Sequence, residues 1–222
     1  MFKCCLFDLD GTILDTVKTI AHYGNKAMAE FGLPSAPVDE YNYFAGDGSR
    51  VLIKRMLEYV GAYDEKLHDD LWHTYMSIYD QDPYHLTAAF DGMADTINAL
   101  KSMGVRVGVI TNKPQFAAQS VVEKFYGKDC FEICLGIADG RPVKPDPTVT
   151  LDAVNKMGLK PQECVFAGDT CVDIQTGKNA GMFTVGVTWG FRPVEELLEN
   201  GADFIANRPE DILKVFKENN NA

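Results

Sequence analysis

The sequence predicts an α/β fold in which a mainly parallel sheet carries an inserted α-helical cap, and three observations lead there. The run from Lys3 to Leu9 is almost continuously apolar, as a central strand buried on both faces must be. From Thr16 to Asp80 the apolar residues recur at helical spacing, with no strand pattern between them. After Phe90 the rhythm becomes helix then strand, repeatedly. An isolated first strand has nothing to pair with, so it joins the later ones. The prediction is a Rossmann-like three-layer core made of residues 1–14 and 87–222, with residues 15–86 inserted as the cap.

The elements follow in order. After the first strand, Val17, Ile20, Ala21, Met28 and Phe31 fall largely on one helical face, and Gly32 followed by Pro34 stops the pattern. Two further amphipathic helices are expected, at 49–60 (Leu52, Ile53, Met56, Leu57, Val60) and 64–80 (Leu67, Leu71, Tyr75, Ile78, Tyr79). Trp72, Tyr75 and Tyr79 read most simply as packing residues. Hinges between core and cap are expected at 14–16 and 84–88. The remaining helices are placed at 93–103, 115–125, 148–157, 173–180, 194–200 and 209–216, and the strands at 105–110, 131–135, 164–167, 184–188 and 203–206. The polar tail from Lys217 to Ala222 is expected to fray.

Charge narrows the function. With 21 basic against 32 acidic residues, the net charge of -11 argues against nucleic acid and against an anionic membrane surface as partners. A phosphorylated substrate would be repelled by that field, so a metal ion and a few local cations would have to hold it. Asp8 comes too early for a signal-peptide apolar region to precede it, and no run of about 18 apolar residues occurs, so a soluble, cytoplasmic protein is expected. Six cysteines without a CxxC pair read as reduced thiols, and the four histidines show no ligand spacing.

In open parallel sheets ligands bind beyond the carboxyl ends of the strands, so the residues after each apolar run matter most. They are Asp8-Leu9-Asp10-Gly11-Thr12, Thr111-Asn112-Lys113, Lys144-Pro145-Asp146-Pro147 and Gly168-Asp169-Thr170-Cys171-Val172-Asp173. Acids, a hydroxyl and a lysine would meet at one rim, which is the inventory for phosphoryl transfer through an aspartyl-phosphate. Asp8 and Asp169, with the Asp10 carbonyl, can hold Mg2+, a hard cation that takes oxygen ligands. The Asp10 carboxyl is then free to protonate a leaving alkoxide and to take a proton from water. Thr111 and Lys144 would cover the phosphoryl oxygens, and Gly11, Thr12, Asn112 and Lys113 complete the phosphate and substrate contacts. Asp173, one turn after Asp169, is expected to orient a metal-bound water.

These four motifs, in this order, resemble the haloacid dehalogenase superfamily over nearly the whole chain, and its phosphoglycolate phosphatase-like branch in particular, whose members carry a helical cap after the first motif. The resemblance implies a Mg2+-dependent phosphatase of a small phosphorylated metabolite, monomeric or homodimeric, with Asp8 as nucleophile and Asp10 as acid and base. It also implies that Gly46-Asp47-Gly48-Ser49-Arg50 is a substrate loop, with Arg50 meeting a second anionic group. Pyrophosphate hydrolysis and β-phosphoglucomutase-like transfer are the rival activities within the superfamily. A receiver-like phospho-acceptor domain is the non-enzyme alternative, disfavoured by Asp10, by the acceptor's place on the first strand and by the large insertion.

Overall fold

A computed structural model describes residues 1–218; from residue 219 on, the expected fraying lies outside the described residues. The strands of the main sheet are β1 (Cys4–Phe7), β4 (Arg106–Pro114), β5 (Ile133–Ile137), β6 (Cys164–Gly168), β7 (Phe183–Val187) and β8 (Phe204–Ala206); two further strands, β2 (Leu14–Asp15) and β3 (Ala88–Ala89), pair separately. The main sheet has the order β5-β4-β1-β6-β7-β8, and all five of its pairings are parallel. β1 therefore sits inside the sheet, flanked by β4 and β6.

The three layers can be read from β1 alone. Successive side chains on a strand point to opposite faces. Accordingly Cys5 and Phe7 join one buried cluster, and Cys4 and Leu6 join another. Helices supply the other half of each. On the first face lie α5 (Met93–Ser102), α6 (Gln115–Tyr126) and α10 (Ile212–Glu218), through Ile97, Val121 and Phe216. On the second lies α7 (Thr148–Lys156), through Ala153 and Val154. α8 (Cys171–Asn179) leads from the end of β6 to Ala180 and Met182 of that same cluster, and α9 (Val194–Glu199) follows β7.

Between β2 and β3 the described chain is helical: α1 (Val17–Glu30), α2 (Tyr41–Phe44), α3 (Ser49–Tyr59) and α4 (Glu65–Tyr79). This stretch has a buried cluster of its own, built on Met28, Tyr41, Ile53, Met56 and Leu71. Burying an apolar side chain such as Ile53 or Met56 contributes about 1.5–3 kcal/mol. The Asp64 carboxylate caps α4 by accepting the Leu67 N–H at 3.0 Å. Gly24 of α1 lets the Tyr41 ring lie against the helix, where any Cβ would overlap it. Ala117 and Phe191, from the α/β part, pack into the same cluster.

Three features depart from the sequence reading. The pair β2–β3 stands at the expected hinges, with Leu14 opposite Ala89 and Asp15 opposite Ala88. Two-residue strands are too short to show a period. α2, preceded by a 3-10 turn at Val38–Glu40, was missed for the same reason. β4 continues past Ile110, with a shift in register, and takes in Thr111, Asn112 and Lys113, which were expected just after the strand. A Pro-terminated polar run does not read as strand, but its last residue, Pro114, lies opposite Ile137 of β5.

Candidate active site

β1 ends at Phe7, and the Asp8 N–H continues the ladder by donating to the Ala167 carbonyl at 2.9 Å, which fixes Asp8 at the sheet's carboxyl edge. β6 ends beside it and delivers Asp169, while the first turn of α8 delivers Asp173. Gly11, at φ +81°, turns the chain after Asp10 and leaves room for the Asp169 carboxylate; a Cβ there would collide with it. Gly190 gives way to the same carboxylate from the loop after β7.

Asp8, Asp169 and Asp173 are all buried, and each offers a carboxylate oxygen within 4.8 Å of the others. Like charges this close, out of water, disfavour ionisation. Burial first, and then Asp173, push the Asp8 carboxyl up to about 7 against the pull of Lys144. Burial, Asp173 and Asp8 push Asp169 well above the usual carboxylate range, although the Phe191 N–H (2.8 Å) and the Thr12 hydroxyl (2.7 Å) donate to it. The buried Lys144 ammonium lies 2.8 Å from Asp8 and 2.6 Å from Asp173. Burial alone would lower its pKa, but these two acids raise it above the ordinary lysine value. Despite its distance from Lys144, Asp8 Oδ1 has no well-aligned hydrogen-bond partner. One ammonium against three convergent carboxylates leaves a site with the oxygen donors and excess negative charge that suit a hard divalent cation.

Asp10 faces a different way. Its Oδ1 pairs with Lys113 Nζ at 2.8 Å, and both residues line a cleft that also includes Asp8, Thr111 and Asn112. The opposite wall comes from the helical stretch: Ile20, Ala45, Gly46, Gly48, Ser49, Leu52, Tyr75, Met76 and Tyr79. Lys113 thus holds a carboxylate instead of standing free for phosphate.

Other residues occupy roles that the sequence did not assign. The Thr12 side chain braces Asp169, and its hydroxyl is committed there. Asn112 is a backbone clamp: its Oδ1 accepts the Lys144 N–H at 2.9 Å, and its Nδ2 donates to the carbonyls of Lys144 and Gly46, each at 3.1 Å. Asp173 holds Lys144 and also accepts from the N–H and hydroxyl of Thr170. Arg50 departs furthest from expectation. Its guanidinium pairs with Asp69 at 2.7 Å and lies 4.1 Å from the Trp72 ring centroid, more than half exposed and outside the cleft lining. At the second position of α3 its side chain turns toward α4, so it is not placed to meet a second anion.

The loop after β7 also belongs to the site. Phe191 bonds Asp169, Trp189 Nε1 donates to the Thr12 carbonyl at 2.9 Å, and Arg192 donates to the Tyr43 and Ala45 carbonyls of the helical stretch. The signal for it was available: Trp189-Gly190-Phe191-Arg192 follows an apolar strand, as the four chosen motifs do.

A family model for haloacid dehalogenase-like hydrolases matches residues 5–187. The chain is 31% identical over 221 residues to a phosphoglycolate phosphatase of Pasteurella multocida, with 97% of this chain and 99% of that one covered. It is 29% identical over 214 residues to a phosphoglycolate phosphatase of Aquifex aeolicus, covering 96% of each. Among solved structures, one described as a "predicted phosphoglycolate phosphatase" from Haemophilus somnus 129pt aligns with a TM-score of 0.90 at 27% identity, over 97% of this chain and 98% of that one.

Proposed function

This chain belongs to the haloacid dehalogenase-like hydrolase family, in its phosphoglycolate phosphatase-like branch, and is a phosphatase; from that premise we propose that it hydrolyses a small phosphomonoester, phosphoglycolate or a close analogue, through an aspartyl-phosphate on Asp8 with Mg2+ as cofactor. One observation carries the reading. Asp8 is buried among two further acids and a lysine, at the mouth of a cleft where Asp10 stands free of that cluster.

In this reading Asp8 and Asp169, with the Asp10 carbonyl, hold the metal, and Asp173 lies alongside. A bound Mg2+ supplies positive charge that offsets the repulsion between the Asp8 carboxylate and a phosphate dianion. An Asp8 oxygen attacks phosphorus, the bond from phosphorus to the ester oxygen breaks, and Asp10 gives that oxygen a proton. Lys144 and the Thr111 hydroxyl face the charge that gathers on the phosphoryl oxygens. Asp10 then takes a proton from water as the water attacks phosphorus, which releases phosphate and restores the Asp8 carboxylate. Lys113, 2.8 Å from Asp10 Oδ1, holds the Asp10 carboxyl group at the cleft.

Residues 15–86 act as a cap over the core, moving about the β2–β3 pair. No helix among the described residues is long and apolar enough to cross a membrane, and six free cysteines support a reducing cytoplasm as the setting.

The test is phosphate release from 2-phosphoglycolate, pyrophosphate and sugar phosphates, with Mg2+ and with a chelator. We expect turnover of a monoester that the chelator abolishes, loss of at least about 10⁴-fold in Asp8→Asn, and a phosphorylated Asp8 peptide after acid quench. Turnover that survives the chelator, or full activity in Asp8→Asn, would overturn the reading.

A further inference from the structure

We propose that Tyr75 and Tyr79 form the subsite for the part of the substrate that leaves, their hydroxyls donating hydrogen bonds to an acceptor oxygen that this group carries near the ester. The proposal rests on the phosphatase reading above and adds the chemistry of the leaving group to it.

The two residues lie one turn apart on α4, with rings stacked at 5.5 Å between centroids and 29° between planes. Both line the cleft that contains Asp8 and Asp10, and they are only 4% and 3% exposed. The Tyr79 hydroxyl is buried without a hydrogen-bond partner, and among the described residues the Tyr75 hydroxyl has none either. Buried phenols ordinarily find an acceptor. Elsewhere in this molecule they do: Tyr23 donates to the Asp82 carbonyl, Tyr41 to Asn25 Oδ1, and Tyr126 to the Ile13 carbonyl.

Packing does not account for the contrast. At position 79 phenylalanine would fill the same space without leaving a buried polar group unpaired, so the Tyr79 hydroxyl weakens the fold until something in the cleft accepts from it. Their position says what that partner is attached to. Lys113 Nζ lies 5.1 Å from the Tyr79 ring centroid and holds Asp10, so the pair stands beside the carboxyl that protonates the leaving oxygen. After burial, the Asp10 charge contributes to raising the pKa of both phenols, which keeps them protonated donors.

Around them the wall is apolar, from Ile20, Leu52, Met76 and Pro114, with the Ser49 hydroxyl as the polar exception on the helical side. Lys113 is the one cation in the lining and is already paired. The leaving group is therefore compact and recognised through hydroxyl donors, and its acceptor oxygen belongs to a carboxylate or to an alcohol.

Three esters of similar size separate these sources: 2-phosphoglycolate, 2-hydroxyethyl phosphate and ethyl phosphate. Steady-state kinetics on each, for the unaltered protein, Tyr75→Phe and Tyr79→Phe, read the proposal. In the phenylalanine variants kcat/KM for one oxygen-bearing ester falls about 10- to 100-fold, at least tenfold more than for ethyl phosphate, and the ester that loses identifies carboxylate or alcohol. In Tyr79→Phe the melting temperature holds or rises by about 3 °C, whereas a structural role would lower it. Equal losses on all three esters, no loss on any, or a lower melting temperature overturns the proposal. Failure of the unaltered protein to hydrolyse any of the three, or p-nitrophenyl phosphate, overturns the phosphatase reading and the subsite with it.

Discussion

The two walls of the cleft are built on opposite principles. On the sheet side the charged groups are held by named partners, Lys144 by Asp8 and Asp173, Asp169 by Thr12 and Phe191, Asp10 by Lys113, with the surplus of carboxylates over Lys144 left for a cation. On the helical side the groups that face the cleft are mostly apolar, and the two buried phenols have no partner among the described residues. The sheet side is arranged before any substrate arrives, as electrostatic catalysis requires. On the subsite proposal the helical side is completed by the substrate, and discrimination between esters is expected there.

The largest expected effect comes from unbalancing the first wall. Lys144→Met leaves Asp8 and Asp173 without their cation, and breaking a buried pair from one side costs about 3–5 kcal/mol. Chemical denaturation in a chelator should show that loss, with turnover abolished, and added Mg2+ should restore part of the stability but none of the turnover. A variant as stable as the parent in the chelator would mean that the three acids are not in conflict.

A smaller effect separates acid damage to the site from acid damage to the fold. Remote from the cleft, Asp211 pairs with Lys214 and accepts the N–H groups of Asn207 and Arg208, which hold its pKa below the usual carboxylate value. A group depressed in the folded state contributes stability above its unfolded pKa of about 3.9 and loses it as pH falls through the lower, folded value. Asp211→Asn should therefore melt about 2–4 °C lower at neutral pH, for a loss of about 1 kcal/mol. The gap should close as pH drops below about 4, while kcat/KM at neutral pH stays put. A constant gap from pH 7 to pH 3 would show that charge is not what Asp211 contributes.

The smallest effect belongs to Arg50. An exposed ion pair contributes about 0–1 kcal/mol, so Arg50→Ala should shift melting by no more than about 3 °C and change kcat/KM less than about threefold. A loss of a hundredfold on an ester with a second anion would return Arg50 to the substrate and remove the contrast between the walls.

That contrast also explains what could be read in advance. The parallel sheet and the three acids were legible because buried central strands write unbroken apolar runs, and the topology then forces whatever follows them to one rim. Lys144 was found the same way, 31 residues past Lys113 in chain order yet one strand away in space. Side-chain direction was not legible. Lys113 and Thr12 were read toward phosphate but point to Asp10 and Asp169, and Arg50 was read into the cleft but turns to Asp69 and Trp72. Tyr75 and Tyr79 continue the apolar stripe of α4 with Leu67 and Leu71, and periodicity cannot tell a ring that fills a core from one that also lines a cavity. The partnerless hydroxyls, which set them apart, exist only in three dimensions.

The pair β2–β3 gives the second wall a kind of independence. Because Leu14 lies opposite Ala89 in a pair of their own, the chain enters and leaves the helical stretch at a single spot, and whatever is spliced between those strands sees the same two anchor points. Loop-closure entropy rises only as the logarithm of the segment's length, about 0.6 kcal/mol per doubling. By closure entropy alone the length of the insert matters little; what it must supply is the packing against Ala117 and Phe191. On the proposed reading, an insert exchanged at that junction would change the preferred ester provided that it rebuilds the contacts Asn112, Phe191 and Arg192 make with the helical stretch.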